Sequence, residues 1–161
     1  MPVQRSSQKL VEQIMDKTRT ATELEGVLPI LQEIVWDAWS NCKQTFVCTD
    51  GLRTLAEQKA LVAKGASKTM KSKHLEGKAV DLTPFEGKKP KWEMELCYVV
   101  ADAMIAAAKR HKTPMRWGGA WHCADITKTN KTAKELHLEY LATCRVQKKT
   151  PFIDGPHYEL V

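Results

Sequence analysis

Apolar positions recur at two different periods along the chain, and the switches between those periods divide it into helices and strands. Leu10, Val11, Ile14 and Met15 share one face of a short first helix. Leu24, Val27, Leu28, Leu31, Ile34, Val35 and Ala38 carry helical spacing on to about Asn41, and the Thr22/Glu25 pair has the spacing of a capping box that would open this second helix. Residues 45–49 are β-prone, and Asp50-Gly51 turns the chain. A second capping pattern, Thr54 with Glu57, predicts a helix ending near Gly65, followed by an exposed lysine-rich loop over residues 66–73. Residues 79–82 read as a strand that Pro84 and the 87–90 loop should stop. Leu96, Val99, Val100, Ala103, Met104 and Ala107 mark a long buried helix, and residues 115–117 a strand ending at Gly118-Gly119. Thr132 and Glu135 cap a last helix with Leu136, Tyr140, Leu141 and Cys144 on one face, and residues 157–161 read as a final strand.

Helices mixed with short strands, without regular βαβ alternation, predict an α+β fold: a small, mainly antiparallel sheet packed with helices. A length of 161 residues suits one domain, residues 1–161, with residues 1–43 as its helical N-terminal part. A domain of this size buries about two thirds of its unfolded surface, so it needs no metal merely to fold. Any metal it holds is therefore expected to do chemistry.

Charge and cysteine usage narrow the class. The net charge of +6 favours anionic partners. The lysines cluster at residues 64–73, 88–91 and 148–149 without interleaved aromatics, which speaks against a nucleic-acid groove. Five cysteines form an odd set without a CxxC pair, as expected of reduced thiols in a cytoplasm. The start is polar and basic, and no apolar run resembles a signal peptide or a membrane span. The chain is thus expected to be made in the cytoplasm, without stable membrane insertion, and to act as a monomer.

Two segments carry the candidate chemistry, residues 72–81 and 154–159. In a strand of period 2, Val80 and Leu82 face one way and Asp81 the other, while Tyr158 and Leu160 face together and leave His157 and Glu159 opposite. If the two strands are neighbours, Asp81 and His157 project into one cleft that His74 reaches from the turn before Gly77. Two imidazoles and a carboxylate form a ligand set suited to tetrahedral zinc with a position open for water. Asp154, on the turn into the last strand, is placed to serve as a base. On residue types alone a metal site and a set of ordinary turn and strand residues remain equal readings. Glu159 fits either a residue orienting a ligand or a sheet-surface charge. Trp117 and Trp121 fit either core anchors or the rim of a cleft. His111, His122 and His137 read as surface or packed histidines.

The ordered pattern Ser72-x-His74, Asp81, then Asp154-x-x-His157 resembles the signature of the VanY and D-alanyl-D-alanine carboxypeptidase family. That family includes phage L-alanyl-D-glutamate endopeptidases and shares its zinc-site architecture with the Hedgehog signalling domain. Gly51-Leu52-Arg53-Thr54 is similar to a segment preceding the family's site, and Ala56-Glu57-Gln58 and Arg116-Trp117-Gly118-Gly119 are similar to the phage endolysin branch. Leu52 stands where the family usually has an aromatic residue, and Ala120 where phage relatives often have Asp.

The resemblance implies one zinc ion on His74, Asp81 and His157, with Asp154 as general base. It implies Arg53 as oxyanion donor or substrate-carboxylate ligand, and Ser72, Gln58 and Trp117 as further substrate-side residues. The implied activity is hydrolysis of a peptidoglycan stem peptide, most specifically the L-alanyl-D-glutamate bond, by an endolysin that reaches the wall through a separate pore and lyses the host. A D,D-carboxypeptidase and a noncatalytic zinc-binding module are the competing readings.

Overall fold

The computed structural model describes residues 2–161, with side chains from Ser6 onward; the polar, basic start read from the sequence falls outside those side chains, and Met1 outside the described residues. In chain order the elements are α1 (Pro2–Glu23), α2 (Pro29–Asn41), β1 (Phe46–Asp50), α3 (Leu55–Ala63), β2 (Ala79–Glu86), β3 (Lys89–Pro90), α4 (Met94–Arg110), β4 (Met115–Trp117), α5 (Ala133–Val146) and β5 (His157–Leu160). Short 3-10 turns occupy Lys73–Glu76 and Ile126–Lys128. The sheet runs β1-β2-β5-β4, with β3 paired to the far end of β2, and every pairing is antiparallel. The expected α+β architecture is the one observed.

One face of the sheet meets the helices. Val80, Leu82, Tyr158 and Leu160 point into a core that also holds Leu31, Ile34, Val35, Val100 and Met104. α4 packs against α2, α5 and β2. Full burial of a side chain the size of Leu or Val contributes roughly 1.5–3 kcal/mol, so this face fixes the strand register. The opposite face is left free for chemistry.

The capping boxes at Thr54/Glu57 and Thr132/Glu135 form as the sequence predicts. In each, the N-cap backbone N–H donates to the Glu carboxylate at 2.7 Å and the Glu N–H donates to the Thr hydroxyl at 3.2 Å. The Thr22/Glu25 pattern does not. Thr22 lies inside α1 and its hydroxyl donates back to the Thr18 carbonyl at 3.1 Å. α2 opens only at Pro29, after Gly26 has reversed the chain at φ +80°. Proline at the first helical position, with its fixed φ, sets that start.

Two further expectations are corrected. β2 runs through Pro84 to Glu86 and turns into β3 at Gly87, whose φ is +57°. The Pro84 carbonyl accepts from Lys91 N–H, so its nitrogen faces the same way, off the β1 ladder, and its missing donor breaks no bond to β1. The apolar face of α1 is not core. Leu10, Val11, Ile14 and Met15 are more than half exposed, while Thr20 is buried and Glu12 and Asp16 are half-buried. The polar face packs because β1 is an edge strand: its Cys48 N–H donates to the Thr20 hydroxyl at 3.1 Å.

Candidate metal centre

The register of β2 and β5 sets Asp81 directly opposite His157, both on the face away from the core. His74 reaches the same point from the 3-10 turn. Ser72 caps that turn by accepting from His74 N–H at 3.3 Å, and Gly77 closes it at φ +66°. A side chain at Gly77 would also meet the Gly26 carbonyl at 2.6 Å, so the turn needs glycine on two counts.

Three atoms able to bind a metal converge. His74 Nε2 lies 3.3 Å from His157 Nδ1 and 3.3 Å from Asp81 Oδ1, and His157 Nδ1 lies 3.1 Å from Asp81 Oδ1. Donors held about 2.0–2.1 Å from a tetrahedral metal lie about 3.3 Å from one another, so the triangle fits such an ion. Both imidazoles are held from behind. His74 Nδ1–H donates to the Gly51 carbonyl at 2.8 Å, and His157 Nε2–H donates to Glu159 at 2.9 Å. Because a carbonyl and a carboxylate only accept, each contact selects the neutral tautomer whose lone pair, once any second proton has left, faces the centre.

The protonation of the group follows from its burial and contacts. Burial acts to lower the His157 pKa, but hydrogen bonds to Asp81 and Glu159 override it and raise it to about 9. Burial works the other way on Asp81, and bonds from His157 and His74 hold its carboxyl well below the usual range. Asp154 is raised, first by burial and then by the charge of Asp81, against the pull of His157, His74 and Arg53.

These residues line a cleft of about 460 Å³ with Arg53, Asp154 and Ser72. Asp154 is fixed through β4: its N–H donates to Gly118 O at 3.0 Å, while Gly118 N–H donates to His157 O at 2.8 Å. A β-bulge between Cys48 and Asp50 brings Asp50 opposite Asp81. There it binds the Arg53 guanidinium, which also donates to Gln58 Oε1 at 2.6 Å and lies 3.9 Å from Asp81.

Two of the substrate-side residues implied by the resemblance lie elsewhere. Trp117 is fully buried, its indole N–H donating to Gly155 O at 2.7 Å, because its strand partner Tyr158 faces the core. Trp121 and Phe152 line the cleft in its place. Gln58 is also fully buried and acts on the cleft from beneath, through Arg53 and the 66–73 loop. Ala120 is buried in the core, so its departure from the family pattern lies away from the cleft. Sequence reasoning missed Asp50 as the partner of Arg53. Its position three residues earlier is the only local signal, and the bulge that aims it is not visible in the sequence.

The family model of phage L-alanyl-D-glutamate peptidases matches residues 14–161. The L-alanyl-D-glutamate peptidase of Escherichia phage T5 is 30% identical over 143 residues, covering 86% of this chain and 92% of that protein. The crystal structure of the Serratia marcescens L-Ala D-Glu endopeptidase ChiX superposes with a TM-score of 0.66 at 29% identity, covering 89% of this chain and 86% of that one.

Proposed function

The chain belongs to the phage L-alanyl-D-glutamate peptidase family, and we propose that it is a zinc-dependent endopeptidase cutting the L-alanyl-D-glutamate bond of peptidoglycan stem peptides. The observation that carries the zinc reading is the donor triangle with 3.1–3.3 Å edges, whose two imidazoles are each held by an acceptor behind the ring. Soft thiolates are absent from this triangle and both nitrogen and oxygen donors are present, a set that suits zinc.

His74 Nε2, Asp81 Oδ1 and His157 Nδ1 would hold the ion, which when bound lowers the pKa of a water and polarises the scissile carbonyl. Asp154 is the general base. Its raised pKa brings it closer to the working range of a group that must take a proton from water and return it to the departing amine. Arg53 faces the carbonyl oxygen as negative charge develops there, and Asp50 and Gln58 hold its planar fork in place. Ser72 keeps His74 in position by capping its turn. The enzyme acts as a monomeric endolysin, made in the host cytoplasm and released to the wall through a separate pore. No helix among the described residues is long and apolar enough to cross a membrane.

The test is mass spectrometry of purified peptidoglycan after digestion by the zinc-loaded protein, with a chelator-treated control. New N-terminal D-glutamate that disappears with chelator supports the proposal. Released D-alanine would instead make the protein a D,D-carboxypeptidase, and an intact substrate in both samples would overturn a peptidoglycan-cleaving role.

A further inference from the structure

The cleft has two unlike walls. One is aromatic, with Phe152 stacked on Trp121 at 6.3 Å between ring centroids. The other is the loop of residues 66–73, which brings Lys68, Lys71 and Lys73 to the cleft.

The lysine wall is anchored from below. Gln58 Nε2 donates to Thr69 O at 2.5 Å and to Ser67 Oγ at 2.9 Å, so the residues on either side of Lys68 are tied to α3. The same amide accepts from Arg53, which couples the wall to the reacting centre. Lys68 Nζ extends across the cleft to 5.0 Å from the Phe152 ring centroid. Lys71 lies three residues before His74, on the approach to the capped turn.

The cations of the cleft differ in what neutralises them. Arg53 is bound to Asp50, and Lys73 shares the cleft with Glu159. Lys68 and Lys71 have no acidic side chain in ion-pair contact among the described residues. Two lysines on the cleft wall with no carboxylate in ion-pair contact suit an anionic group on the ligand.

The substrate supplies that group whatever its linkage. A glutamate whose nitrogen lies in the scissile bond has two carboxyls; at most one continues the stem, so at least one remains free. We infer that Lys68 and Lys71 bind this free carboxylate and make the enzyme selective for an acidic residue on the leaving side of the bond. The inference rests on the endopeptidase reading above and adds its specificity determinant.

The experiment compares two synthetic stem peptides that differ only at this group, one carrying the carboxylate and one a carboxamide. The zinc-loaded wild type is expected to favour the acid by on the order of tenfold in kcat/KM, as the loss of charge-assisted contacts implies. Lys68→Met/Lys71→Met should bring the ratio close to one, chiefly by raising KM on the acid, with zinc content at the wild-type level. Lys68→Arg/Lys71→Arg should restore the preference. Equal rates on both peptides in the wild type, or a preference that survives in the methionine variant, overturns the inference. Failure of the wild type to cleave either peptide would overturn the endopeptidase reading itself.

Discussion

His157 holds a proton in the metal-free protein that an ion bound at the proposed site would have to displace. Its folded pKa of about 9 stands above the ordinary 6.5, so this proton stabilises the metal-free fold fully below about 6.5 and the contribution is lost as pH rises through 9. Metal binding needs the unprotonated ring, so apparent zinc affinity is expected to fall about tenfold per pH unit below that value, with close to one proton released per ion. Calorimetry in buffers of different ionisation enthalpy reads the proton count directly. A pH-independent affinity would remove His157 from the ligand set. Asp154 offers a separate test: Asp154→Asn should lower kcat by about 10²–10⁴-fold while zinc content stays at the wild-type level. At this scale the convergence of Asp81 and His157 was legible because strand alternation places them on the face opposite Val80 and Tyr158. Trp117 was not, because its core placement depends on which strand lies beside it.

Among the elements, the turn at Gly118 links β4 to the reacting end of the molecule. A Cβ there would meet the Asp154 carbonyl at 2.2 Å and the Asp154 Cβ at 3.0 Å, so any side chain must push Asp154, the proposed base, aside. Gly118→Ala is expected to reduce kcat/KM by on the order of a hundredfold, the scale of a displacement of about 1 Å at a reacting group. Overpacking of this kind costs about 1–3 kcal/mol, so the variant should remain folded at the assay temperature. Near-normal kinetics with an unchanged melting curve would show that the loop relaxes without moving Asp154. The elements whose ends are written in local chemistry were legible, as the two formed capping boxes show. α1 was not. Its apolar spacing is real, but the edge of β1 recruits the polar face through Thr20, and no local pattern announces that preference.

At the scale of the whole molecule, the three proposed ligands come from two regions far apart in sequence, with Asp81 and His157 separated by 76 positions. An ion bound by both regions favours the folded chain over the unfolded one by mass action. At free zinc a hundredfold above its dissociation constant the gain is about 2.7 kcal/mol. Stripping the metal should therefore lower the melting temperature by several degrees, and adding zinc back should restore it. His74→Ala should abolish that metal-dependent shift; a shift that persists in this variant would place the stabilising ion elsewhere. The fold class was legible from the mixture of periods along the chain. The strand order was not, since the insertion of β5 between β2 and β4 is a long-range choice made by the core.

That insertion also orders events in time. A ribosome builds the chain from its first residue upward, so β1, β2 and β4 exist before the strand that fills the gap between β2 and β4. Until residues 154–160 emerge, the growing polypeptide lacks the Asp154 carboxyl and the second imidazole of the donor triangle, and the central strand lacks a neighbour. On the proposed mechanism a nascent chain is therefore inert toward peptidoglycan. The same short stretch that finishes the sheet switches on the hydrolase, and assembly and activation become a single late step.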